Sequence, residues 1–260
     1  MTIMAAVAMV DRSAEVWTRL ETVIDPELDE SVTELGFVTR VEVDADEHVR
    51  IDFRLPTYWC AANFAFLMAD DMRIAVAALP WVRKVTVGLG EHMYADEINR
   101  GVAAGQSFQA TFGSEASGEL EEVRRTFMVK AFQRRQEALL TYLLDLGHEP
   151  ATLLQLTVAE LAALHCDLAG SRLLVRYLER RPVVRARTDE LAFVDQDGAS
   201  LDAGQIHAYL RALRRVGVNA EFNSALCRGL LATRYGSGCT PEVEVKPVHF
   251  VRSIGTARSI

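Results

Sequence analysis

The spacing of apolar positions changes near residue 105, and the change divides the chain in two. In SAEVWTRLETV (13–23), Val16, Leu20 and Val23 recur at helical spacing behind Ser13, a residue that can cap a first turn. Pro26 in IDPEL ends that helix, because proline disfavours the helical conformation in the residue before it. Two alternating, β-branched runs follow, LGFVTRVEVD (35–44) and HVRIDFRL (48–55), and the polar link between them predicts a hairpin. From Ala61 to Leu79 the positions Phe64, Leu67, Met68, Met72 and Val76 mark one face of a helix, which Pro80 closes. WVRKVTVGL (81–89) then alternates as a strand. This order of elements predicts a small α+β domain over residues 1–105.

Residues 106–118, rich in small and polar side chains, read as a linker. Beyond them residues 119–260 read as mainly helical. A long amphipathic helix spans 119–147 and stops at a glycine, and TVAE (157–160) has the form of a capping box. Further helices are predicted at 171–181, 203–217 and 219–236. The Asp-Gly pair inside LAFVDQDGASL (191–201) predicts a small hairpin. The fold class is therefore α+β, a helix–strand–strand–helix–strand domain followed by a helical one.

Composition is that of an ordinary folded protein, half apolar and a quarter charged. The net charge of −8 argues against a broad nucleic-acid surface. Residues 1–105 carry 18 acidic side chains against 9 basic ones, whereas residues 106–260 carry 18 against 19. The acidic half can meet a basic partner, or its charge can serve solubility alone. The cysteines Cys60, Cys166, Cys227 and Cys239 form no CxxC pair. The opening MTIMAAVAMVDRS has no basic residue before Asp11 and does not read as a secretory signal, and no stretch is long enough to span a membrane. A cytoplasmic protein with reduced thiols is expected. An apolar face left exposed on helix 119–147 would support a homodimer.

Two stretches carry candidate chemistry. Cys60 falls just before a predicted helix, where free backbone N–H groups and the helix dipole favour a thiolate, the form needed for nucleophilic attack or metal ligation. Burial as a small hydrophobe is the plainer alternative. IDPELDESVTELGFV (24–38) packs Asp25, Glu27, Asp29, Glu30 and Glu34 into ten residues. Carboxylates this dense are expected to be exposed, or neutralised by a cation or a basic partner, and Asp25 can also serve a local turn.

Together, the acidic turn, the Leu-Gly-Phe-Val strand, the cysteine-bearing turn and LPWVRKVTV resemble the small metal–sulfur cluster assembly domain, over roughly residues 13–100. That family includes the eukaryotic cytosolic iron–sulfur targeting factor and the D-type accessory protein of the phenylacetyl-CoA oxygenase system. The resemblance implies that Cys60 matches the family's reactive cysteine and that Asp25, Pro26 and Glu27 match its acidic turn. Ala61 stands where the family usually has proline, and the turn LPTYWC is about one residue shorter. By this resemblance Cys60, Asp25 and Glu27 would hold iron or an iron–sulfur cluster transiently, with nothing tightly bound. Asp29, Glu30 and Glu34 would meet a partner, either an iron–sulfur scaffold protein or a client. FMVKAFQRRQEALL in the long helix looks like extensions associated with bacterial gene clusters for propane-type di-iron monooxygenases, which implies oxygenase subunits as client.

The implied function is a non-catalytic maturation factor; a protein–protein assembly module with an incidental thiol is the alternative. An enzyme is not expected, because no positioned base accompanies a nucleophile and no Ser-His-Asp or HExxH arrangement occurs. His92, after the last strand, can face the same end of the sheet as Asp25 or stand solvated in its loop. Cys239, in a glycine-rich loop with Arg234 nearby, can assist Cys60 if the domains meet. Cys166 and Cys227 read as core residues. The arginine pairs at 124–125, 134–135, 180–181 and 214–215 read as solvated helix faces.

Overall fold

A computed structural model describes residues 12–113, 120–185 and 190–236. A first helix, α1, runs through residues 12–20 and buries Val16 and Leu20. Two short strands, β1 (Ile24–Asp25) and β2 (Glu30–Ser31), pair across the acidic turn. β3 (Val38–Val43) and β4 (His48–Phe53) form the expected antiparallel hairpin. β4 continues through helix α2 (Ala62–Ala77) to β5 (Lys84–Leu89), which lies parallel to it, giving the sheet order β3-β4-β5. Alternation explains the layering: Val49, Ile51 and Phe53 point inward from β4, with Val87 and Leu89 beside them, and α2 lays Phe66, Met68 and Met72 over that face.

Part of the predicted linker, residues 108–112, is helical. Helix α3 (Ala95–Ala103) packs on α2 and β5, and α4 (Phe108–Phe112) returns beneath it, capped by Ser107. Phe108 is buried and meets the Phe66 ring edge-on at 5.6 Å, so α4 packs into the first core. Gly101 permits this close approach, since a Cβ there would lie 2.2 Å from Thr111 Oγ1.

The second core gathers on α5 (Leu120–Asp145), the short α6 (Pro150–Leu153) and α7 (Val158–Ala162), α8 (Leu168–Arg180) and α9 (Ile206–Tyr235). Phe132, Leu139, Leu143, Leu161, Tyr177 and Phe193 are wholly buried there. The apolar face of α5 offered for dimerisation is thus filled from within the chain. Thr157 and Glu160 form the predicted capping box at the start of α7. Around Asp195–Gly198 the chain turns and makes a single bridge between Val194 and Ser200. The two helices predicted on either side of Val218 are one unbroken helix of 30 residues, α9. Gly217 weakens helical preference there, but it is buried and the helix has packing on both sides of it. No helix among the described residues is long and apolar enough to cross a membrane.

α9 joins the two cores. Ile206 and Leu210 belong to the second, whereas Leu231 is buried in the first.

Candidate functional site

The acidic turn is built around its own backbone. Pro26 suits the first corner of a turn, and Asp25 Oδ1 accepts the amides of Glu27 and Leu28, each at 2.9 Å. Asp29 closes the turn with φ of 56°, a conformation that Asp tolerates better than most residues. Asp25 is buried, and burial outweighs its two amide bonds, pushing its carboxyl up to about 6.

The acidic residues do have a basic partner, and it is the chain's own helical part. Asp29, 4% exposed, receives both Nε (2.6 Å) and Nη2 (2.9 Å) of Arg135 on α5, and Arg180 on α8 reaches it at 3.3 Å. Arg176 donates to the Asp29 carbonyl at 3.2 Å. Glu30 binds Ser224 (2.6 Å) and Arg228 on α9, and Arg228 also donates to the carbonyl of Glu34. Asn223 holds Glu27 Oε1 at 2.9 Å. Of the turn's five acidic residues only Glu34 is exposed. The reading of the arginine pairs as solvated faces holds for Arg214 and Arg215 but is corrected elsewhere: Arg135 and Arg181 are buried, and Arg124 binds Asp71 through both terminal nitrogens at 2.7 and 2.8 Å. Neither their spacing nor their type distinguished them. The signal available in the sequence was the opposed charge of the two halves.

Cys60 lies in the turn between β4 and α2, one residue ahead of the helix cap Ala61, and is half-buried. Its Sγ is 3.2 Å from Thr57 Oγ1. His92, for which a solvated loop is one of two placements the sequence leaves open, is buried beneath the same turn. Its Nδ1 accepts the Tyr94 amide, which leaves the proton on Nε2 to bond the Cys60 carbonyl at 2.8 Å. Burial holds His92 below its ordinary value, and the nearby Arg234 charge acts the same way. Met93 donates to the Tyr58 carbonyl at 3.0 Å, so the loop after β5 braces the cysteine turn at two points. Tyr58 and Trp59, packed edge to face at 5.2 Å, stand out into solvent, with Trp59 73% exposed.

α9 crosses this region. It is pinned to the acidic turn at Asn223, Ser224 and Arg228, and again where Arg234 donates to Glu91 at 2.9 Å and to the Leu55 carbonyl at 3.5 Å. Between these anchors Cys227 packs against the same core as Cys60. Burial, then the Cys60 and Asp25 charges, push the Cys227 thiol up to about 11, so it is protonated at neutral pH. Cys166 is not a core residue; it sits half-buried in the turn before α8, beside the cap Asp167. Cys239 lies outside the described residues.

Among the described residues, no three His, Cys, Asp or Glu side chains come together as a metal-holding group. Asp25 and Glu27 therefore do not close a ligand set around Cys60: one carboxyl oxygen of Asp25 is spent on two backbone amides, and Glu27 is tied to α9. The arrangement offers one half-buried thiol on a braced turn, with no second ligand among the described residues grouped beside it.

Residues 13–87 match the family model described as iron–sulfur cluster assembly protein. An uncharacterized protein of Methanocaldococcus jannaschii is 32% identical over 85 residues, which cover 33% of this chain and 87% of that protein. A crystal structure of a domain of unknown function (DUF59) from Bacillus anthracis aligns with 21% identity over 38% of this chain and 95% of that one, at a TM-score of 0.31. The matched family segment ends within β5, before α3 and all of the helical part. Through its N-terminal unit the chain belongs to the iron–sulfur cluster assembly protein family.

Proposed function

We propose that this protein is an accessory maturation factor that receives iron or an iron–sulfur cluster at Cys60 and passes it to a client enzyme, without catalytic turnover of its own. The observation that carries the reading is the placement of the family domain's one cysteine: a half-buried thiol on a turn whose backbone is fixed by the His92 bond to the Cys60 carbonyl. A carrier must release what it binds. One protein thiolate with the remaining positions open suits transfer, whereas a four-cysteine site suits retention. Tyr58 and Trp59 supply apolar contact for a docking partner beside the thiol. The helical extension favours a dedicated client, and the resemblance of residues 127–140 supports subunits of a propane-type di-iron monooxygenase.

The exposed aromatic pair also suits an assembly module in which the thiol is incidental. The two readings separate in an anaerobic affinity capture from the native host, with wild type and Cys60→Ala compared by mass spectrometry. Cluster scaffold proteins or oxygenase subunits captured only by wild type support the carrier. The same partners on both baits favour the module, and neither class of partner on either bait overturns both.

A further inference from the structure

Away from the cysteine turn, a cavity of about 330 Å³ opens between α5 and α9. Three cations line it: Lys130 and Arg134 from α5 and Arg215 from α9. None of them forms an ion pair with a carboxylate among the described residues, in contrast to the neighbouring Arg124, Arg135, Arg214 and Arg228. Arg134 donates one bond, from Nη1 to the Glu27 carbonyl at 3.2 Å, while its Nη2 is buried without an acceptor. A buried donor lacking an acceptor is uncommon in a folded protein and marks a position that an external oxygen can satisfy. Lys130 is held over the Phe127 ring at 4.5 Å, which fixes its ammonium at the wall. Asn219 and Asn223 add amide groups. The one acidic side chain in the wall, Glu27, is occupied by Asn223, and three cations against one carboxylate leave the cavity positive.

We propose that this cavity binds a small oxyanion-bearing ligand, a polycarboxylate or a phosphate compound, between Lys130, Arg134 and Arg215. Its volume falls in the range of small-molecule sites. The three cations lie beyond residue 87, so the family match assigns them nothing. Burial also lowers the proton affinity of Arg134, a penalty that an anion beside it would relieve. Because Glu27 forms part of the wall, ligand binding would also brace the acidic turn from the side of the helical domain.

The test is calorimetric titration of the full chain with pyrophosphate and, separately, citrate, with sodium chloride holding ionic strength constant. Wild type is compared with the double variant Lys130→Ala, Arg215→Ala; both side chains are exposed, so the fold should survive, and unliganded circular dichroism and melting check this. One equivalent of pyrophosphate or citrate should bind wild type and weaken by ~10-fold or more for each cation removed, as expected for charge-assisted bonds. Preference for one probe identifies phosphate or carboxylate chemistry. Arg134→Gln should abolish binding as well. Binding of neither probe, or equal affinity in wild type and both variants, overturns the proposal. If the double variant fails to fold, Arg215→Ala alone serves the same comparison.

Discussion

Asp25 is the residue whose environment contradicts its chemistry most plainly. A carboxyl raised from 3.8 to about 6 keeps its proton in the fold after the unfolded chain has released it. Its contribution therefore favours folding below about pH 4 and is lost as pH rises through 6. At pH 7 the buried ionised form costs on the order of 3 kcal/mol relative to an exposed Asp. Asp25→Asn retains an oxygen for the two amides, and should stabilise the protein by about 1–3 kcal/mol at pH 7.5 and by little at pH 4; urea unfolding at the two pH values measures the difference. His92 acts with the opposite sign. Its lowered value makes its contribution complete above the ordinary 6.5 and progressively lost on acidification. Cys227 gives a third check: its alkylation, followed by mass spectrometry, should stay slow at pH 7.5 and accelerate toward pH 11. Of these positions the sequence announced Asp25 and Cys60 by their motif. For His92 it left two placements open, and it assigned Cys227 to a core without saying which, because each is set in place by contacts more than 30 residues distant.

Elements of the first unit were legible because alternation in β4 and helical spacing in α2 each follow from one buried face. What could not be read was the joining of units. α4 is only five residues long and is held by Phe108 and the gap at Gly101, features that matter only once α3 lies above it. Gly101→Ala should therefore destabilise by about 1–3 kcal/mol, measured by thermal melting, although alanine is the better helix former. The ion pairs between units are similarly invisible in a linear reading, since an arginine on a helix looks alike whether it meets water or Asp29. Asp29→Ala leaves Arg135 buried and underpaired, retaining Glu179 on one nitrogen. It should cost about 3–5 kcal/mol in denaturant unfolding, far above the effect of a surface pair.

At the scale of the whole molecule, α9 commits the two cores to one another. The three tryptophans, Trp17, Trp59 and Trp81, all lie in the first unit, whereas most of the helix lies in the second. Leu210→Ala, a change confined to the second core, should thus shift the tryptophan-fluorescence transition together with the far-ultraviolet circular dichroism transition by about 2–4 kcal/mol. Separate movement of the two signals would show independent units. The charge asymmetry noted in the sequence is expressed at this same scale in ion pairs between the acidic turn and arginines of α5, α8 and α9.

Because the helix that crosses the cysteine turn is specified so late in the chain, the order of synthesis matters. The family unit emerges from the ribosome with its acidic turn uncovered, and α9 follows roughly ten to thirty seconds afterwards at ordinary elongation rates. Until α5, α8 and α9 have followed in turn, the newborn protein presents an acidic turn that lacks some of its covering side chains, and a factor that recognises the uncovered turn would meet it then. The mature protein and its nascent form are, to such a factor, two different surfaces.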